Sequence, residues 1–175
     1  MTVARPWQRG RAALVYDGVG RRMVLGLKHA DRTDLAVPAA RWMVAVAADL
    51  RNDDMVVVPV PLHWSRLLTR RYNQANLLSR LVARGLDLTH VPDALIRPKR
   101  SPKMQDTTRA ARFAALDCAI RPHPRRMTFL QGRSVLIVDD VMTTGATLAA
   151  ATEAAHMAGA ARVHVLTLAR VVKDA

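Results

Sequence analysis

Two carboxylates stand directly before a hydroxyl-rich turn in the stretch VLIVDDVMTTGAT, residues 135–147. The carboxylates belong to Asp139 and Asp140, hereafter the acid pair, which follow four apolar residues. An ionised carboxylate only accepts hydrogen bonds, so two neighbours suit a vicinal diol or a divalent cation held through water. The stretch therefore predicts a binding site at this point of the chain.

The turn after the acid pair suits an anion. Its residues, Thr143, Thr144, Gly145, Ala146 and Thr147, are hereafter the anion loop and open a predicted helix. A helix start offers free backbone N–H groups and a positive dipole end, and glycine allows close approach. Diol acceptors before an anion cradle predict a site for a ribose 5-phosphate. The alternative is a merely capped helix start, because threonine is a good N-cap and aspartate is favourable nearby.

Alternating strands and helices must position this site. Continuous apolar runs indicate strands buried on both faces, and apolar residues three and four apart indicate helices. Helices are predicted at 19–29, 35–50, 73–85 and 145–159, and strands at 11–16, 55–60, 95–96, 134–138 and 162–169. The pattern predicts an α/β fold, an open, mostly parallel twisted sheet with flanking helices. The acid pair is expected at the carboxyl end of the 134–138 strand, where such sheets bind ligands.

The composition narrows the class of protein. The 175 residues fit a single domain, 1–175, and no run has the roughly 18–20 apolar residues of a membrane span. The N-terminus lacks the apolar stretch of a secretory signal, so a cytoplasmic protein is expected. One cysteine, Cys118, excludes an intramolecular disulfide.

The positive charge of the chain is concentrated in one segment. The net charge is +13, and residues 97–133 hold ten Lys/Arg against two acids. Residues 97–112 are therefore expected to form an exposed, flexible basic loop.

The stretch VLIVDDVMTTGAT resembles the phosphoribosyl diphosphate (PRPP) signature of type I phosphoribosyltransferases. Three further segments are similar to the competence protein F (ComF) group of that family. They are VPVPL at 58–62 with RRYNQA at 70–75, the Lys28-His29 pair, and the arginine- and glutamine-bearing segment 97–113. These matches extend from about residue 16 to residue 169 and imply a type I phosphoribosyltransferase-like fold.

The resemblance implies roles for individual residues. The acid pair would bind the ribose 2- and 3-hydroxyls, and the anion loop would hold the 5-phosphate. The segment after Val60, up to about Arg66, would face the pyrophosphate. A catalytic role is implied for Arg109 as well as for the acid pair. Further contacts to the pyrophosphate or its surroundings are implied for Lys28, Arg70, Arg71, Asn73, Gln74, Gln105 and Arg112.

The implied reaction is substitution at ribose C1, in which pyrophosphate leaves and a nitrogenous acceptor attacks. The implied cofactor is Mg²⁺, held by Asp139 and Asp140 through substrate or water, and the implied ligand is PRPP or a ribonucleotide. The basic loop would close over the site and exclude water. The alternatives are a mobile basic loop with no catalytic role and a loop that contacts nucleic acid. Thr143 stands where some purine-salvage members carry an acid, so a purine-salvage activity is not expected. Many ComF proteins also carry an N-terminal cysteine-rich zinc module, which these residues lack.

A second function remains open from the sequence. The same fold could serve as a nucleotide-responsive accessory protein in DNA uptake, with the +13 charge directed at single-stranded DNA. Only seven aromatic residues are available for base stacking, and core packing would account for them equally well. The sequence leaves open the acceptor and whether the chain forms a homodimer.

Overall fold

A computed structural model describes residues 5–28, 32–62, 73–97 and 120–172. Its strands are β1 (Arg9–Val15), β2 (Val56–Pro59), β3 (Thr89–His90), β4 (Leu95–Ile96), β5 (Arg121–Pro122), β6 (Ser134–Met142) and β7 (Arg162–Arg170). Its α-helices are α1 (Gly18–Lys28), α2 (Ala36–Ala47), α3 (Gln74–Leu86) and α4 (Ala146–Met157). Short 3-10 turns cover Thr33–Leu35, Ala48–Leu50 and Met127–Phe129.

Five strands form one parallel sheet in the order β1-β7-β6-β2-β3. The central strands β2 and β6 contain uninterrupted apolar runs, because helices cover both faces of the sheet there. Strands β4 and β5 form a separate antiparallel pair. The predicted α/β fold, a mostly parallel sheet with flanking helices, is confirmed.

Each face of the sheet has its own apolar core. Side chains of α1, α2 and α3 pack on one face, against Val57, Leu136 and Leu166 among others. Side chains of α4, with Leu95 of β4 and Ile120 just before β5, pack on the other face, against Val58 and Ile137 among others. This second core supports the end of β6 and the start of α4, where the acid pair and the anion loop lie.

The helix α3 shows how local sequence signals set its ends. The Asn73 side chain accepts a hydrogen bond from the Ala75 N–H at 3.0 Å, which satisfies a donor that the helix leaves unpaired. At the other end Asp87 adopts a left-handed conformation with φ of 54°. Between these ends Leu78, Val82 and Leu86 turn one apolar face toward the sheet.

The structure differs from the sequence prediction at three strands. The sequence predicts that β6 ends at Val138, but the strand runs to Met142, because β7 continues beside it and pairs with Val141 and Met142. The acid pair therefore lies inside the strand rather than after it, and that prediction is wrong. The two-residue strands β3 and β5 are not predicted, since such short segments carry no periodicity to read. None of the helices in the described ranges is long and apolar enough to cross a membrane.

Candidate functional site

The acid pair lies where β6 emerges from the core. The strand is fully buried from Ser134 to Val138 and becomes partly exposed from Asp139 onward. Asp139 is held in register with Thr167 of β7, whose hydroxyl oxygen is buried. The Asp140 backbone N–H donates to Asp139 Oδ1 at 2.8 Å, which fixes the orientation of that carboxyl group.

The anion loop turns directly from β6 into α4. Gly145 is the N-cap residue, with a φ of 82° that side-chain-bearing residues rarely adopt. The Thr144 hydroxyl accepts a hydrogen bond from the Ala146 N–H at 3.3 Å. The next N–H groups, those of Thr147 and Leu148, have no carbonyl partner in a helix that starts here. These donors and the helix dipole favour an anion at this position.

Asp139 and all five residues of the anion loop line one small concave pocket. Asp140 is not among its lining residues, as expected when successive side chains of a strand point to opposite faces. The predicted neighbourhood of carboxylate and anion cradle is therefore present, but Asp139 contributes more directly than Asp140. A larger groove between α2 and α3 is lined almost wholly by apolar groups such as Val44 and Leu81, which do not suit a phosphate.

The electrostatic environment of Asp139 opposes ionisation. Burial of the carboxyl group raises the pKa of Asp139 well above its ordinary value of 3.8, and the negative charge of Asp140 raises it further. The Asp140 N–H and the Arg97 guanidinium act in the opposite direction and lower this pKa. A ligand that brings hydrogen-bond donors or a cation to the carboxyl group would favour its charged form.

Arg97 is a site residue that the sequence reasoning did not single out. It follows β4 directly and lies close enough to Asp139 for its charge to act on that carboxyl group. The signal was present in the sequence, because Arg97 is the first of ten basic residues in the segment 97–133. Nothing in that run distinguished Arg97 from the other arginines.

The N-terminal segment, residues 5–8, also reaches the site without a sequence signal. The Arg5 guanidinium donates from Nη1 to the Thr144 carbonyl oxygen at 2.7 Å. The same guanidinium lies 5.5 Å from the centre of the Trp7 ring. The hydrogen bond joins residues 139 positions apart, a separation over which local sequence patterns carry no information.

Two of the remaining predicted residues, Asn73 and Gln74, have side chains that the structure describes, and the rest do not. Asn73 caps α3 and donates from Nδ2 to the Val60 carbonyl at 3.3 Å, so its amide already has structural partners. Gln74 is 2% exposed, and its Nε2 donor has no hydrogen-bond partner in the described ranges. The others lie outside what the structure describes: Arg70, Arg71, Gln105, Arg109, Arg112, the 63–66 part of the predicted pyrophosphate-facing segment, and the side chain of Lys28.

The donor set fits a magnesium ion that is shared with a phosphorylated ligand. Across the described ranges no three His, Cys, Asp or Glu side chains gather into a group that would hold a metal by themselves. Mg²⁺ usually keeps several waters and takes one or two carboxylates plus substrate phosphates. Asp139 and Asp140 are two such carboxylates at adjacent positions of β6, and Asp139 lines the pocket that the anion loop also lines.

The sequence model of a protein family, the phosphoribosyl transferase domain, matches residues 75–174, which are more than half of the chain. This match contains β6, the acid pair, the anion loop, α4 and β7. The chain belongs to the phosphoribosyl transferase domain family. This match, together with the two similar proteins described next, confirms the resemblance to type I phosphoribosyltransferases of the ComF group.

The DNA utilization protein YhgH of Salmonella typhi is 30% identical over an aligned length of 173 residues, and the alignment covers 95% of this chain and 74% of that protein. Competence protein F of Haemophilus influenzae is 33% identical over 114 residues, 65% of this chain and 49% of that protein. Among solved structures, B. subtilis glutamine PRPP amidotransferase complexed with ADP and GMP superposes with a TM-score of 0.52 at 15% identity. The superposition covers 81% of this chain and 30% of the amidotransferase, so this phosphoribosyl transferase domain shares the fold of one part of it.

Proposed function

We propose that this phosphoribosyl transferase domain binds PRPP with Mg²⁺ and transfers or exchanges the phosphoribosyl group at ribose C1 with a nitrogenous acceptor. One observation carries the proposal: Asp139 and the anion loop line the same pocket. A ribose 5-phosphate carries hydroxyl donors on one side and a phosphate on the other. The pocket offers a carboxylate for the first and backbone N–H groups for the second.

The proposed reaction is the one that the resemblance to type I phosphoribosyltransferases implies. The bond from C1 to the pyrophosphate oxygen breaks and its electron pair leaves with pyrophosphate, while the acceptor nitrogen forms a bond to C1 and loses a proton. Positive charge develops on the ribose ring in the transition state. The Asp139 carboxylate would therefore both hold the sugar and stabilise that positive charge. Bound Mg²⁺ would neutralise charge on the leaving pyrophosphate, with Asp139 and Asp140 as its protein contacts through substrate or water.

Further roles extend from the same site. Gln74 has a buried amide donor at the start of α3, in the segment that the resemblance assigns to pyrophosphate binding. We assign it a contact to the leaving group. Donors for the rest of the pyrophosphate are proposed to come from Arg70, Arg71, Gln105 and Arg112. Arg109 is proposed to have a catalytic role, and Lys28 is proposed to contact the pyrophosphate.

The acid pair gives the direct test. Calorimetry with PRPP and Mg²⁺ should show binding by the parent chain and none by the double variant Asp139→Asn with Asp140→Asn. The matched control is Asp53→Asn with Asp54→Asn, which removes the same charge from another adjacent pair, in an exposed turn before β2. This control should bind PRPP like the parent. If the Asp139/Asp140 variant binds PRPP as well as the parent does, the acid pair does not bind the ribose hydroxyls.

Catalysis needs its own measurement. Pyrophosphate release from PRPP should be screened against a panel of nucleobases and amines, each with the parent and with the Asp139/Asp140 variant. We expect release with at least one acceptor, and none from the variant. Binding of PRPP with no release for any acceptor would reduce the proposal to a nucleotide-binding protein.

A second function has observations of its own: the net charge of +13 and the names of the relatives, DNA utilization protein and competence protein F. In it, the phosphoribosyl transferase domain acts as an accessory to DNA uptake and binds single-stranded DNA. Such binding should weaken steeply with salt, because each neutralised phosphate releases counterions. The Asp139/Asp140 variant should then keep or slightly raise its DNA affinity, since it loses two negative charges.

A further inference from the structure

The N-terminal segment forms a support behind the anion loop. Gln8 extends the pairing of β1 with β7, because its N–H donates to the Val163 carbonyl at 2.9 Å and its side chain accepts from the Val163 N–H at 2.7 Å. The segment is therefore anchored to the sheet. Beyond this anchor, Trp7 packs against the core under α4, and Arg5 reaches Thr144.

Two glycines make room for the Trp7 indole. A β-carbon on Gly10 would lie 3.2 Å from Trp7 Nε1, and a β-carbon on Gly145 would lie 3.3 Å from Trp7 Cη2. The indole thus spans the gap between β1 and the anion loop, with one end at each glycine. The Arg5 guanidinium stacks above it, and its Nη1 would be 2.8 Å from the same Gly145 β-carbon.

The hydrogen bond from Arg5 fixes the direction of one peptide group. The peptide between Thr144 and Gly145 is trans, as all described peptides are, so its C=O and N–H point to opposite sides. The C=O points to Arg5. The Gly145 N–H therefore points away from Arg5. Arg5 and Trp7 do not line the pocket, whereas Thr144 and Gly145 do, so this N–H is directed to the pocket side of the loop.

We propose that Arg5 is a positioning residue for phosphate binding: its guanidinium lies over the Trp7 ring and donates to the Thr144 carbonyl, and it thereby aims the Gly145 N–H at the 5-phosphate of the ligand. This inference rests on the proposed function and adds a residue to it. A charged donor on the carbonyl also polarises the peptide, which strengthens hydrogen-bond donation by its N–H. Arg5 itself does not touch the phosphate in this arrangement.

The test uses ribose 5-phosphate as the probe and the 175-residue chain throughout. Calorimetry gives the affinity, and the ¹H–¹⁵N NMR signal of Gly145 reports whether its amide binds the phosphate. The variants are Arg5→Met, which keeps a long unbranched side chain without charge, and Arg5→Lys, which retains one charged donor. Arg84→Met, at an exposed position of α3, controls for the loss of one positive charge.

We expect ribose 5-phosphate to shift the Gly145 amide signal downfield in the parent. Arg5→Met should bind the probe about fivefold more weakly, with a smaller Gly145 shift, as loss of one exposed hydrogen bond predicts. Arg5→Lys should recover part of the affinity and of the shift, which a purely structural loss would not give. Arg84→Met should match the parent.

Three results would overturn the inference: parent-like binding by Arg5→Met, equal losses in Arg5→Met and Arg84→Met, or a Gly145 amide that does not respond to the probe in the parent. Arg5 is exposed, so Arg5→Met should fold, and Arg5→Lys carries the test if circular dichroism shows otherwise. Failure of the proposed function is a separate result. A parent that binds ribose 5-phosphate through Gly145 but does not bind PRPP contradicts the transferase and leaves the role of Arg5 standing.

Discussion

Alanine in place of Gly145 should destabilise the protein more than alanine in place of Gly132. Both glycines have a left-handed backbone, with φ of 82° and 70°. This conformation costs alanine about 1–2 kcal/mol relative to glycine at either position. The β-carbon at Gly132 would meet open space, whereas at Gly145 it would press on Arg5 and Trp7. Gly132→Ala therefore isolates the backbone cost.

The extra cost at Gly145 comes from the support behind the anion loop. Displacing Arg5 removes a hydrogen bond worth about 1 kcal/mol and an exposed cation–π contact worth about 0.5–1 kcal/mol. Gly145→Ala should thus lose about 1–2 kcal/mol more than Gly132→Ala. In a chain of this length each kcal/mol lowers Tm by about 2–4 °C, so the two variants should differ by about 5 °C.

Thermal and urea denaturation of the parent and both variants would measure the difference. Gly145→Ala should also weaken ribose 5-phosphate binding, because Arg5 can no longer hold the Thr144 carbonyl, while Gly132→Ala should not. If the two variants unfold at the same temperature, the N-terminal segment does not press on the anion loop as the structure has it. The positioning role of Arg5 would lose its geometric basis with that result.

Two more predictions concern single side chains. Asn73→Ala should lower the free energy of unfolding by about 1–2 kcal/mol through loss of the α3 cap, whereas Asn73→Asp keeps the acceptor and should lose less; equal losses in urea denaturation would contradict the capping role. The pKa of Asp139 is raised in the folded state, so the folded protein binds the proton more tightly than the unfolded chain does, and stability should fall as pH rises from about 4 through the raised pKa. Asp139→Asn should flatten this decline in urea denaturation across a pH series, and parallel pH curves for parent and variant would refute the raised pKa.

The sequence predicted the fold well where a strand is buried on both faces. The runs at β2 and β6 are apolar without interruption because helices cover both faces, and that requirement is visible residue by residue. The sequence did not predict the end of β6, because that part of the strand is not buried on both faces. Beyond Val138 the strand leaves the core and carries acids, so composition no longer marks it, and only its pairing with β7 keeps it extended.

The site was predictable in its local part only. The acid pair and the anion loop lie within nine consecutive residues, 139–147, so their types and order already describe a diol acceptor next to an anion cradle. Arg5 and Arg97 reach the same place from distant parts of the chain, through the pairing of β1 with β7 and the position of β4. Such contacts depend on how the strands are ordered in the sheet, which no local pattern encodes.

The position of the acid pair inside β6 makes its two members unequal. Strand alternation directs Asp139 to the pocket and Asp140 to the other face, and burial acts on the Asp139 carboxyl group. In the protein without ligand, burial disfavours the charged form of this carboxyl group. Ribose hydroxyls or a cation would stabilise the charged form, so their arrival would favour ionisation of the group. Asp139 would thus couple its own ionisation to ligand binding, while Asp140 acts on it through its N–H and its charge. Asp139→Asn alone should therefore cost more PRPP affinity in calorimetry than Asp140→Asn alone, and equal losses would contradict this division of roles.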